Sequence, residues 1–232
     1  MYDKKFDPLN AKYTGNEAVV ILSIQREINN ILNSYVGWFD PFCELIQNAL
    51  DSVEKRMEKE SEMYVPQVKI IVNIQENSVT VTDNGVGFSE EEYTKFLAPN
   101  FSFKNGNTRG HKGVGATYLA YGFNYIQIAT KSPDFEAVGV MKNARKWLSD
   151  VSPAGNPKVE PDYNPVNDEM FESVDRGVSI TVKYDNTTYP KNLSWIGINK
   201  AKEWLDILRV KTGLGAIEEN SRISLDVIAI DK

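Results

Sequence analysis

The chain has 232 residues, 41% hydrophobic and 25% charged, with a net charge of −6 and a pI near 5.0. That length supports one sizeable core, and the acidic balance disfavours a general grip on nucleic acid. Cys43 is the only cysteine and His111 the only histidine, which excludes an intrachain disulfide, a cysteine- or histidine-rich metal site, and any serine–histidine triad not built on His111. No apolar run approaches the about 18 residues of a membrane span, and the polar start MYDKKFDPLN is no signal peptide. A reducing cytoplasm is the expected location.

In chain order, Glu17 to Val36 carries apolar residues at helical spacing, and a second helix is predicted from near Pro41 to about Lys59. Strands are predicted over Gln67 to Ile74 and Ser78 to Thr82, followed by DNGVGF (83–88) as a loop. Ser89 to Glu92 (SEEE) reads as a capping-box start for a short helix ending near Leu97. Ala98 to Lys112 is a polar loop long enough to suggest a function. A helix over Val114 to Ala120 leads to strands near Tyr125–Thr130 and Phe135–Lys142. Ser152 to Asp168, with four prolines, reads as a loop or insertion. A strand over Gly177 to Tyr184, a helix over Leu193 to Leu208 and a strand over Ile223 to Ile230 complete the chain. The sum is an α+β, two-layer sandwich: a mostly antiparallel, mixed sheet packed on helices. The expected organisation is an N-terminal segment and helix over 1–40, a core over 41–190, and a helix and strand of the same domain over 191–232.

Chemistry concentrates in three stretches. On the second helix, Phe42, Leu45, Ile46, Ala49, Leu50, Val53 and Met57 form one apolar face at about 100° per residue. Glu44, Asn48 and Asp51 fall together on the opposite side, either as a solvated stripe or as a carboxylate and amide aimed into a site. There a Glu would take a proton from water, and an Asn oxygen would suit Mg²⁺. The other two stretches are glycine pairs: Gly85 and Gly87, led by Asp83, and RGHKGVGAT (109–117), set among basic residues. Glycine admits close approach of a ligand to the main chain. An acid at one pair and cations at the other suit a ligand with a donor at one end and negative charge at the other, as in a nucleotide.

Together ELIQNALD (44–51), DNGVGF (83–88) and GHKGVGAT (110–117) resemble, in order and spacing, the N-box and first two glycine boxes of the GHKL ATPases. This superfamily includes the DNA gyrase B subunit, the large heat-shock chaperone, histidine kinases, MutL and the MORC proteins. The resemblance implies the Bergerat-type ATP-binding fold over roughly residues 16–184. It also implies that Asp83 accepts the adenine amine while Gly85 and Gly87 pass close to the base. Gly110, Gly113, Val114 and Gly115 would cradle the phosphates at a helix N-terminus, Asn48 would hold Mg²⁺, and Glu44 would activate the attacking water. Asp51 would support the site from behind. Residues 98–112 would form an ATP lid, with His111 and Lys112 at its hinge; Lys112 would neutralise a phosphate or simply be solvated.

Two departures from that pattern stand out. In the late RGVSIT stretch (176–181), Val178 occupies the position where the family has Thr, leaving Ser179 as the substitute contact to adenine. The lysine that a following domain contributes in gyrase-like and MutL-like enzymes has no candidate here, and the ending SLDVIAIDK suggests a piece of a longer protein. The absence of an upstream phosphoacceptor histidine, with Asp51 present, disfavours a histidine kinase; a MORC-like prokaryotic branch fits better. The resemblance thus implies a slow, Mg-dependent ATPase that binds ATP and ADP and pairs as a homodimer when ATP-bound; the helix within residues 1–40 either supplies an exchanged dimer element, as in relatives, or simply covers the core. Its target would be a client protein, DNA or an effector domain, with no membrane partner. The alternative is a nucleotide-binding switch with negligible intrinsic hydrolysis.

Overall fold

The computed structural model describes residues 17–60, 63–99, 114–151, 155–164, 166, 168–217 and 222–231. In chain order these form helices α1 (Glu17–Leu32) and α2 (Asp40–Met57), strands β1 (Gln67–Asn73) and β2 (Ser78–Asp83), and helices α3 (Glu90–Lys95) and α4 (Val114–Tyr121). Strands β3 (Tyr125–Ser132) and β4 (Phe135–Lys142), helix α5 (Ala144–Leu148), strand β5 (Val159–Pro161), helix α6 (Glu169–Ser173) and strand β6 (Gly177–Lys183) follow. Helix α7 (Ala201–Lys211), flanked by the 3₁₀ turns Leu193–Ile196 and Gly213–Ala216, precedes strand β7 (Ser224–Ile230).

The fold is α+β, with one seven-stranded mixed sheet in the order β5-β4-β3-β6-β2-β1-β7. Every neighbouring pair is antiparallel except β1 and β7, which run parallel. Alternation along the strands gives the sheet two unlike faces. Val68, Ile70 and Val72 of β1, with Val79, Val81, Ile180, Val182, Ile126 and Ile128 opposite them, are buried in the main core. Phe42, Leu45, Ile46, Leu50 and Val53 of α2 belong to the same core, as do Leu119 of α4 and Trp204 and Leu208 of α7. The apolar face read on the second helix is therefore the one that is buried.

The other face is polar. Thr80 and Thr181 are hydrogen bonded at 2.7 Å, and Thr82 and Ser179 at 2.8 Å. The segment from β5 to α6 is fastened across it: Phe171 and Val166 pack on Ala129, and the buried Asp168 carboxylate takes the Lys69 ammonium at 2.8 Å.

Several boundaries differ from the sequence expectation. The first helix stops at Leu32 rather than Val36, because Tyr35 turns inward to stack on Tyr118. The helix expected over Leu193–Leu208 is a 3₁₀ turn and a separate helix, interrupted at Gly197, whose φ of +71° cannot continue a right-handed helix. Helices α5 and α6 were not foreseen: five residues each are too few for a periodic signal. The capping box at Ser89 and Glu92 forms as read, with both reciprocal bonds present. Beside the 3₁₀ turn an aromatic cluster gathers. Trp38 meets Trp195 edge-on at 4.2 Å and donates its indole N–H to the Tyr189 hydroxyl, while Phe39 packs on Phe42 and Trp195. Among the described residues no helix is long and apolar enough to cross a membrane.

Candidate functional site

Helix α2 organises the site. Pro41 sits in its first turn and Asp40 opens it, with one Asp40 carboxylate oxygen accepting the Gly37 N–H at 2.7 Å. With its apolar face against the sheet, the helix presents Glu44, Asn48, Ser52 and Arg56 in a line at i, i+4 spacing. From Glu44 to Ser52 the line runs about 12 Å along the axis.

At the Ser52 end, Asp83 closes β2 and is almost fully buried. One of its carboxylate oxygens accepts the Ser52 hydroxyl at 2.9 Å and the Gly85 N–H at 2.8 Å. Burial pushes this carboxyl up to about 7, against the opposing pull of the Gly85 N–H, the Ser52 hydroxyl, the Val178 N–H and the Arg56 charge. Opposed residues on neighbouring strands share a face. Asp83 is opposite Val178, and Val178 is opposite Thr130, so these three side chains lie side by side toward the helices.

The DNGVGF loop is clamped where it leaves β2. A Cβ on Gly85 would lie 2.1 Å from the Ser52 hydroxyl oxygen and 2.5 Å from the Ser52 carbonyl carbon, so the loop touches α2 backbone to backbone. Gly87 has a φ of +69°, and a Cβ there would meet the Lys131 carbonyl at 1.9 Å. Just before Gly85, Asn84 is fully engaged. Its side-chain oxygen accepts the Tyr64 hydroxyl and the Gln67 N–H, and its amide donates to the Val65 carbonyl. The Asn84 carbonyl accepts from Arg56, whose guanidinium lies 4.6 Å over the Tyr64 ring and also grips Asp175 and Glu60. Phe88 donates its N–H to the Thr130 hydroxyl.

At the other end, half-buried Glu44 meets the start of α4. A Cβ on Gly115 would lie 1.8 Å from one Glu44 carboxylate oxygen, so the absent side chain is what lets the carboxylate lie against α4 in this position. The other oxygen accepts the Tyr35 hydroxyl at 2.9 Å. Asn48 follows one turn along α2, and Asp51 is tied to the neighbouring Gln47 amide at 2.6 Å. Val114 is the first residue of α4. Gly110, His111, Lys112 and Gly113 lie outside the described residues, as does most of the expected 98–112 lid.

Ser179 is not part of this constellation. It is opposite Thr82, not Asp83, so it points to the far face of the sheet, where it bonds Thr82 and is buried. The strand's period of two moves it away, and Val178 occupies the position beside the acid. Thr130, from a strand that carried no motif, supplies the hydroxyl nearest in register to Asp83.

Among the described residues no group of three or more His, Cys, Asp or Glu side chains gathers into a metal site. Among the described residues the constellation offers hard oxygen ligands one turn apart on α2, the Asn48 amide and the Glu44 carboxylate, which suit a cation that keeps most of its waters or brings other oxygen ligands with it. Ser52, Arg56, Asn84 and Tyr35 were missed by sequence reasoning. The first two could have been found by extending the i, i+4 line beyond Asn48. Compared with known proteins, the chain matches no family model, and no curated protein matches it.

Proposed function

We propose that this chain is a GHKL-type domain of the Bergerat fold that binds ATP and hydrolyses it with Mg²⁺. The observation that carries the reading is the Glu44–Asn48–Ser52–Arg56 line, which connects a buried acid in a glycine loop to a carboxylate at the head of a second glycine-bearing helix. A base, a sugar and three phosphates laid along that line would meet the right chemistry at each end. Asp83 accepts the adenine amine while Ser52 and the Gly85 N–H hold its carboxylate in place. Gly85 and Gly87 let the loop after Asp83 pack closely on Ser52 of α2 and on the Lys131 carbonyl, which fixes the surroundings of the acid, and the α4 N-terminus would face the phosphates with its dipole.

Glu44 then orients a water toward the γ-phosphorus and takes its proton. The bond from the γ-phosphorus to the bridging oxygen breaks, releasing ADP and inorganic phosphate. Asn48, one turn from Glu44, would hold the Mg²⁺, which neutralises charge on the phosphate oxygens when bound. Pairing of two chains on ATP binding and a cytoplasmic location belong to the same reading.

The test is calorimetry and turnover together. The native protein should bind ATP with micromolar, Mg²⁺-dependent affinity. Glu44→Ala and Gly115→Ala should keep nucleotide binding while turnover disappears, the second because its new methyl displaces the Glu44 carboxylate. Asp83→Asn should lose adenine recognition; normal ATP affinity in that variant would sink the site. Full binding without any native turnover would make the domain a nucleotide-operated switch.

A further inference from the structure

We propose that Tyr35 is the positioning residue of Glu44, holding the carboxylate in the orientation from which it takes the proton of the attacking water; this rests on the ATPase reading above. The phenol donates to one Glu44 oxygen at 2.9 Å, and the other oxygen packs against Gly115. The carboxylate is thereby held by a donor on one side and by the close-packed backbone of α4 on the other. A glutamate side chain has several rotatable bonds, and fixing it before the reaction is what a preorganised base requires.

Tyr35 is itself held. Its ring stacks on Tyr118 of α4 with centroids 4.0 Å apart and planes 6° from parallel. Tyr118 leans edge-on against Phe123, and Phe123 edge-on against the buried Tyr184. A file of four rings thus runs from the core to the Glu44 carboxylate, and geometry fixed at the core is transmitted to the base. Burial, and next the charge of Glu44, hold the Tyr35 phenol protonated far above the usual tyrosine range, so it remains a donor wherever the enzyme works. The early end of α1 has its explanation here: three more helical residues would carry Tyr35 away from both Tyr118 and Glu44.

The discriminating variant is Tyr35→Phe, which keeps the stacked ring and removes only the donor. We expect kcat to fall about tenfold, the order that one hydrogen bond to a charged group supplies, with KM and ATP affinity unchanged. A donor stabilises the ionised carboxylate, so its loss should move the acid limb of the kcat–pH profile to higher pH. The Glu44 carboxyl, followed by ¹³C NMR titration of the nucleotide-free protein, should move the same way. Tyr35→Leu, which also removes the stack, should be worse in kcat than Tyr35→Phe. An unchanged kcat and pH profile in Tyr35→Phe, with turnover still abolished by Glu44→Ala, would overturn the role of Tyr35 alone. Turnover indifferent to Glu44→Ala would overturn the ATPase reading and this inference together.

Discussion

Asp83 combines a charge-accepting position with a nearly waterless one. Its carboxyl, raised from 3.8 to about 7 by burial, keeps in the folded chain a proton that the unfolded chain has lost. This contribution to stability is complete below pH 3.8 and is lost as pH rises through 7. Urea unfolding of the nucleotide-free protein should therefore show a component of stability that declines between pH 4 and 7, and Asp83→Asn should flatten it. On the proposed reading the same titration would govern base selection: ionised Asp83 would accept from the 6-amine of ATP, whereas protonated Asp83 would donate to the 6-oxo group of ITP. The ratio of ATP to ITP affinity should rise between pH 6 and 8, and a ratio constant across that range would separate Asp83 from the base. Asp83, Gly85 and Glu44 were legible in the sequence because each is part of a short pattern whose spacing carries meaning. Tyr35 and Thr130 were not: Tyr35 lies nine residues before Glu44 across a helix boundary, and Thr130 reaches Asp83 only through strand pairing. The error at Ser179 has the same origin, since one residue along a strand reverses the face.

At the scale of elements, α2 does two jobs with two faces, and its C-terminal half anchors the first glycine loop. Arg56 is buried yet bonds the Asn84 carbonyl, Asp175 and Glu60 at once. Arg56→Met should take the cation from the Asn84 carbonyl and from the solvent-accessible Asp175 and Glu60 carboxylates and cost about 1.5 kcal/mol. The loss would be read from urea unfolding, and faster amide exchange at Gly85 and Gly87 would accompany it. A loss within about 0.5 kcal/mol would show that Tyr64 and Gln67 hold the loop without it. Helices with a full apolar face were readable from periodicity, as were strands with strict alternation. Elements set by tertiary contact were not. The segment from β5 to α6 takes its shape from Lys69, Gln127 and Ala129 on the sheet beneath, and its own prolines gave only a loop signal.

Across the whole molecule, the site is built between α1 and β6, yet the last elements support it from below. Trp204 of α7 is fully buried and stacks on Phe42, which lies two residues before Glu44 on α2. Strand β7 then joins β1 in parallel, pairing Gln67 with Ser224 across most of the chain. Trp204→Ala should cost about 4 kcal/mol, measured by denaturant unfolding, and should lower turnover as well by loosening the N-terminal turn of α2. Unchanged turnover in a stable variant would show that α2 is fixed by the sheet alone. The α+β class and the sheet-on-helices layering could be read from the sequence of elements. The strand order could not, because no local pattern states which distant strand β7 will join.

The aromatic cluster beside the site has an optical consequence. Of the four tryptophans in the chain, Trp204 is sealed in the core, while Trp38 is 40% exposed and lies edge-on to Trp195. Trp38 follows Tyr35 by three residues in the link between α1 and α2. Light emitted by Trp38 depends on the water around it and on its distance from Trp195, so a movement of Tyr35 that carries the 35–38 link with it should change that colour and intensity. The molecule therefore carries its own lamp beside its proposed base, with Trp204 as an unmoving reference.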